Sequence, residues 1–169
     1  APKGLIGVIK TPTLQATNEL MKHKLTSLIL ATGGEAMVRA AYSSGTPAIG
    51  VGPGNGPAFI EKTADIKKAV KRIVQSKTFD NGVICASEQS IVVEREVKDK
   101  VVEELKAQGA YFLNREERDK VGAILMRANN TMNPKIVGRT ALYIASMAGI
   151  TVPTNTKILV SEETEVSHF

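Results

Sequence analysis

The sequence has no tryptophan, a single cysteine, two histidines and an aromatic content of only 4%. One cysteine excludes an internal disulfide, and one thiol with two scattered histidines gives no zinc-ligand spacing. The carboxylates form no calcium-loop pattern either. The net charge is +5, but the 22 Lys and Arg are spread along the chain and lack interleaved aromatics. Nucleic acid therefore finds neither a basic stripe nor a stacking platform. No apolar stretch approaches the roughly 20 residues that span a bilayer, because Lys, Glu or Gly interrupts every candidate. No basic region followed by an apolar run and a cleavage site opens the chain, and no G-x-x-x-x-G-K-[ST] loop supports a Walker-type NTPase. The expectation is a globular protein of a reducing cytoplasm, with no metal, nucleic-acid or membrane partner.

What is present is 43% hydrophobic residues in 169 positions, enough for one compact domain or two small lobes. GLIGVI at 4–9 reads as a strand, and Thr11-Pro12 as the cap and first turn of a helix through Met21. SLILA at 27–31 runs into Thr32-Gly33-Gly34 and a helix from Glu35 to Tyr42. Pro47 to Val51 reads as a further strand, opening into the glycine loop GVGPGNGP at 50–57 and a brief apolar run at 58–60. Asp65 caps the clearest helix, with Ile66, Ala69, Val70, Ile73 and Val74 on one face.

A second lobe is expected from about Thr78, where TFDNGVICASEQS lacks helical period and leads into the strand 91–93. Val97, Val101, Val102 and Leu105 mark a helix stopped by Gly109. Asn114 caps another helix that turns Val121, Ile124 and Leu125 inward. Residues 135–137 and 157–160 read as strands, separated by a helix ending at Gly149. Strands alternating with helices over short links predict an α/β layer with a mostly parallel sheet, its first part resembling a nucleotide-fold lobe.

Three features carry chemistry. Cys85 is either a small buried hydrophobe or a nucleophile, and its setting favours the second. Asp80-Asn81-Gly82 form a turn before it, Ala86-Ser87 leave room beside the sulfur, and a backbone N–H on so irregular a segment is able to face an oxyanion. Neither His23 nor His168 is near it in sequence, and both read as surface residues, so a His-assisted cysteine hydrolase is the weaker alternative. Gly33-Gly34, between strand and helix, is either a tight turn or a place where backbone amides receive a cofactor's polar groups. The glycine loop at 50–56 implies close backbone approach, to a flat ligand or to a neighbouring strand. Glu88, three residues beyond Cys85, either orients a substrate or is simply solvated, and the solvated reading is favoured.

Taken together, SLILATGG at 27–34, SSGTPAIGVGPGNGP at 43–57, TFDNGVICASEQS at 78–90 and NTKILV at 155–160 resemble the coenzyme-A-acylating aldehyde dehydrogenases, in the family's order and over essentially the whole chain. The likeness is nearest to the aldehyde dehydrogenase half of the bifunctional acetaldehyde/alcohol dehydrogenases and to stand-alone acylating enzymes. It implies an aldehyde-dehydrogenase-like α/β fold: residues 1–77 the C-terminal part of a Rossmann-type NAD-binding lobe, and 78–169 the N-terminal part of the catalytic lobe.

The resemblance also implies that Cys85 attacks a short aldehyde such as acetaldehyde, that NAD takes the hydride, and that coenzyme A, as co-substrate, removes the acyl group from the thioester. In fermentation the same chemistry runs in reverse. Cofactor contacts fall on Gly33, Gly34 and Gly52. Hydrolytic relatives carry a water-activating Glu where this loop offers only Gly50 and Val51, which points to CoA rather than water as acceptor. Further segments of the domain are expected before Ala1 and after Phe169, as is a homo-oligomer, filamentous in fused members. A non-catalytic assembly segment is the alternative role.

Overall fold

The computed structural model describes residues 2–52, 54–128 and 131–164. They form two compact units, Ala1–Gly54 and Asn55–Phe169. The expected lobe boundary near Thr78 falls inside the second unit, immediately after its first helix.

The first unit holds helix α1 (Leu14–Lys22), strand β1 (Ile29–Thr32), helix α2 (Glu35–Tyr42) and strand β2 (Ala48–Val51). β1 and β2 pair in parallel, with Ile29 opposite Ala48 and Thr32 opposite Val51. A parallel pair needs a crossover between its strands, and α2 supplies it. Met21, Ala31 and Ala41 form the small core. α1 is tied to this layer by Thr46, whose hydroxyl donates to the Met21 carbonyl at 2.6 Å.

Two expectations fail at the amino-terminal end. GLIGVI forms no strand: Leu5, Ile6 and Val8 are exposed, and an apolar run without a partner strand has nowhere to put its backbone hydrogen bonds. The N-cap of α1 is Thr13, not Thr11; its hydroxyl accepts from the Ala16 amide at 3.0 Å, leaving Pro12 outside the helix.

The second unit contains β3 (Pro57–Ile60), α3 (Ile66–Thr78), β4 (Ser90–Val93), α4 (Lys98–Ala107), β5 (Ala110–Phe112), α5 (Arg115–Leu125), α6 (Ala141–Met147) and β6 (Ile158–Val160). β3 pairs with β4 and β5 with β6, both in parallel. Its main core joins Ile60, Val70, Ile73, Val74, Val101, Leu105 and Ala110, with α3 packed on α4. Burying each of these larger aliphatic side chains contributes about 1.5–3 kcal/mol before entropy is counted. A second cluster of Val121, Ala145 and Ile150 sits under α5 and α6.

The caps follow local chemistry. Asp65 accepts from the Lys68 amide, Gly109 takes φ +101 beyond α4, and Asn114 and Glu117 form a reciprocal capping box of the kind expected for Asx followed by Glu. Two expectations are corrected. Residues 135–137 lie in a turn rather than a strand, and Leu125, at the last position of α5, is exposed. The three-residue β5 was unforeseen, being too short for periodicity to register.

All three strand pairs are parallel, as the alternation of elements predicts. In the β1–β2 and β3–β4 pairs packing covers one face only: Leu30 (72% exposed) on β1 and Phe59 (63%) on β3 show the uncovered side. Among the described residues no helix is long and apolar enough to cross a membrane.

Candidate functional site

The first unit places Gly33, Gly34 and Gly52 together. Because Thr32 lies opposite Val51 in the parallel pair, the residues that follow them emerge side by side, and the Gly33 amide donates to the Val51 carbonyl at 3.1 Å. This is the carboxyl edge of a parallel sheet, where α/β folds receive ligands. Gly34 is the N-cap of α2 and offers no side chain to the first amides; the Met37 amide donates to the Gly34 carbonyl at 3.0 Å, which leaves those of Glu35 and Ala36 for water or a ligand.

The glycines of this region are not equivalent. A Cβ on Gly50 would stand 2.5 Å from Val38 Cγ1 and 2.8 Å from Tyr42 Cε2, so glycine there lets β2 pack on α2. Gly56, in the second unit, brings β3 against the loop backbone, within 3.4 Å of the Ser87 oxygen for an added Cβ. At Gly33 an added Cβ would meet the flexible Met37 sulfur at 3.1 Å. At Gly34 and Gly52 it would meet nothing within 4 Å, and neither residue has a positive φ. Packing therefore demands glycine at Gly50, while at Gly34 and Gly52 the open space is free for another molecule.

Cys85 belongs to the second unit and is exposed, so the buried-hydrophobe reading does not describe it. The chain reaches it through three successive left-handed residues: Asp80 (φ 48), Asn81 (φ 51) and Gly82 (φ 75). Non-glycine residues adopt that region at a cost, with Asn and Asp the most tolerant. Asn81 Nδ2 donates to the Gly138 carbonyl at 3.0 Å, and the turn is fixed from outside.

Beyond Cys85, Ser87 is fully buried. Its amide and its hydroxyl both donate to the Ile84 carbonyl, at 3.1 and 2.9 Å. The Gln89 amide then donates to the Gly56 carbonyl at 3.0 Å, starting the β3–β4 ladder. Cys85 thus stands at the tip of a turn anchored on both sides, with its thiol accessible.

Glu88 corrects the solvated reading. It is half-buried, and its Oε2 is out of solvent with no hydrogen-bond partner among the described residues. Nothing in the local sequence signals this, because a carboxylate loses its solvent only to what the fold brings against it. Lys77, the last cation before the loop, is also half-buried. Burial pushes its ammonium below the ordinary lysine range, and the Glu88 charge partly offsets this.

His23 is exposed and accepts the Leu25 amide on Nδ1, a surface role; His168 lies outside the described residues. A shallow concavity along α1, lined by Gln15, Asn18, Glu19, Lys22, His23 and Lys24, holds none of the candidate residues. Among the described residues, no group of three or more His, Cys, Asp or Glu is placed to hold a metal ion.

Comparison with known proteins bears on both candidate sites. The chain is 54% identical over 166 residues to the bifunctional aldehyde-alcohol dehydrogenase AdhE of Escherichia coli (strain K12), covering 98% of this chain and 18% of that protein. It superposes with a TM-score of 0.94 on an acetylating aldehyde dehydrogenase from Geobacillus thermoglucosidasius, at 62% identity, over 99% of this chain and 37% of the other. A Rhodopseudomonas palustris propionaldehyde dehydrogenase, solved with bound CoA and an acylated cysteine, matches at 33% identity and a TM-score of 0.83 over 89% of this chain and 34% of its own. The chain therefore spans less than a fifth of its curated bifunctional relative and about a third of the solved structures. The aldehyde dehydrogenase family model matches residues 1–138, a span that takes in Gly33, Gly34, Gly52 and Cys85, and the chain belongs to the aldehyde dehydrogenase family.

Proposed function

We propose that this chain is part of an NAD-dependent, CoA-acylating aldehyde dehydrogenase that interconverts a short aldehyde, CoA and NAD with acyl-CoA and NADH, Cys85 being its nucleophile. The observation that carries the reading is Cys85: the sole thiol, exposed at the tip of an anchored turn, in a chain of the aldehyde dehydrogenase family. The CoA and acylated cysteine of the propionaldehyde relative support the same chemistry. On this reading residues 1–77 contribute to the NAD-binding lobe and 78–169 to the catalytic lobe of a cytoplasmic homo-oligomer.

Cys85 adds through Sγ to the aldehyde carbon, giving a thiohemiacetal on the protein. Sulfur suits the task because it adds readily to a carbonyl and leaves readily afterwards. NAD, when bound, supplies the hydride acceptor. The thiohemiacetal carbon gives up its hydride and the hydroxyl its proton, which leaves an acyl group on Sγ as a thioester; the thiol of CoA then takes the acyl group and its proton passes to the departing Sγ, returning Cys85.

The open backbone at Gly34 and Gly52 fits a cofactor approaching the carboxyl edge of β1 and β2, with the free first turn of α2 facing its polar groups. The resemblance to acylating enzymes, which lack at Gly50 and Val51 the water-activating Glu of hydrolytic relatives, supports a second thiol as the acyl acceptor.

The test is made on the full-length protein carrying this chain. Aldehyde-dependent NADH formation should require CoA and disappear in Cys85→Ala. Turnover that survives this substitution, or that proceeds without CoA, overturns the reading.

A further inference from the structure

The loop that carries Cys85 begins and ends on opposite charges, and no ion pair joins them. Glu88 Oε2 is out of solvent and accepts no hydrogen bond among the described residues. A polar oxygen held that way is costly unless a donor or a cation answers it. The backbone on either side of Glu88 is held, the Ser87 amide donating to the Ile84 carbonyl and the Gln89 amide to the Gly56 carbonyl.

At the other end, Lys77 occupies the last turn of α3. Its Nζ lies 3.4 Å from the position a Gly82 Cβ would take, so its amine is folded over the turn leading to Cys85 instead of reaching into water. Lys77 and Glu88 bear on each other electrostatically, without closing to contact distance.

We propose that Lys77 and Glu88 are positioning residues that draw together across the neck of the 78–89 loop and hold Cys85 in place. Neither touches the reacting atoms. The ammonium supplies the charge that the enclosed carboxylate lacks, and the carboxylate offsets part of the burial of the ammonium. The catalytic consequence rests on the reading of Cys85 as nucleophile; the pairing itself does not.

The test compares Lys77→Glu, Glu88→Lys and the exchanged pair carrying both, in the full-length protein. Each single change sets like charges across the neck, and the exchange restores opposite ones. Amide hydrogen exchange in peptides covering 78–89 should rise about tenfold in either single variant and return to within about threefold of the parent in the exchanged pair. For aldehyde oxidation, kcat should fall about tenfold in the single variants with the KM for CoA within about twofold, and recover with the exchange.

If a single variant does not fold, recovery of the folded protein by the exchange supports the pairing. Failure of the exchanged pair to recover, or additive effects of the two changes, overturns it. Persistent activity in Cys85→Ala would remove the catalytic consequence, and the hydrogen-exchange comparison would still decide the pairing by itself.

Discussion

Asn81 donates from Nδ2 to the carbonyl oxygen of Gly138 at 3.0 Å, across 57 positions of sequence. The bond fixes a residue in the left-handed region, φ 51, four positions before the thiol. Asn81→Ala removes the donor and leaves a side chain less tolerant of that backbone. A loss of about 1–2 kcal/mol is expected in urea unfolding. An unchanged midpoint would show that the turn is held by other means.

Gly50 and Gly34 should respond in opposite ways to the same substitution. Gly50→Ala drives a Cβ into Val38 and Tyr42 and should destabilise by about 1–3 kcal/mol, the usual cost of overpacking. Gly34→Ala meets nothing and should leave the stability within about 0.5 kcal/mol of the parent. It should nevertheless weaken NADH binding in the full-length protein, read by cofactor fluorescence. Equal affinity in the Gly34→Ala protein would remove this glycine from the cofactor contacts.

Cys85 is the only thiol in the sequence, so modification reports on one site. Because it is exposed, iodoacetamide should add one carbamidomethyl group to the folded chain without denaturant, seen by intact mass. Cys85→Ser should change stability by less than about 0.5 kcal/mol, as at other exposed positions. Labelling that waits for denaturant would return Cys85 to the core.

Lys77 carries a pH dependence whose sign is fixed by its burial. Its folded pKa lies below the ordinary lysine value because burial disfavours the ammonium, with the Glu88 charge pushing the other way. Between the lowered folded value and the ordinary one, the unfolded chain binds more protons than the native one. Stability therefore rises with pH across that window. Glu88→Gln removes the opposing charge, so Lys77 should titrate lower still and the rise should begin at a lower pH. NMR titration of the lysine ε-carbon checks this, and an unshifted Lys77 titration in Glu88→Gln would disprove the coupling.

The sequence by itself determined the features whose physics is local. Asp65 and Asn114 cap their helices because a short acceptor side chain precedes free amides, and Gly109 ends α4 because it tolerates a positive φ. The 3.6-residue spacing of Ile66, Val70, Ile73 and Val74 marked the face of α3 that enters the core, and the alternation of elements foretold parallel pairing. An exposed Cys85 agrees with the local signal of small residues and a turn around it.

Tertiary structure decided whatever depends on what lies opposite. GLIGVI reads as a strand until it lacks a partner; residues 135–137 lie in the turn that leads to Gly138, the acceptor for Asn81. The 50–56 loop looked uniform in sequence, yet Gly50 answers to Val38 and Tyr42 and Gly56 to Ser87, while Gly52 answers to no protein atom within 4 Å. Glu88 follows the same rule: a carboxylate is solvated by default, and only in the folded loop does its Oε2 leave solvent. Cys85 was legible as a thiol with room around it; that its loop is held by Gly56 through Gln89 on one side and by Gly138 through Asn81 on the other is a matter of contacts that no spacing encodes.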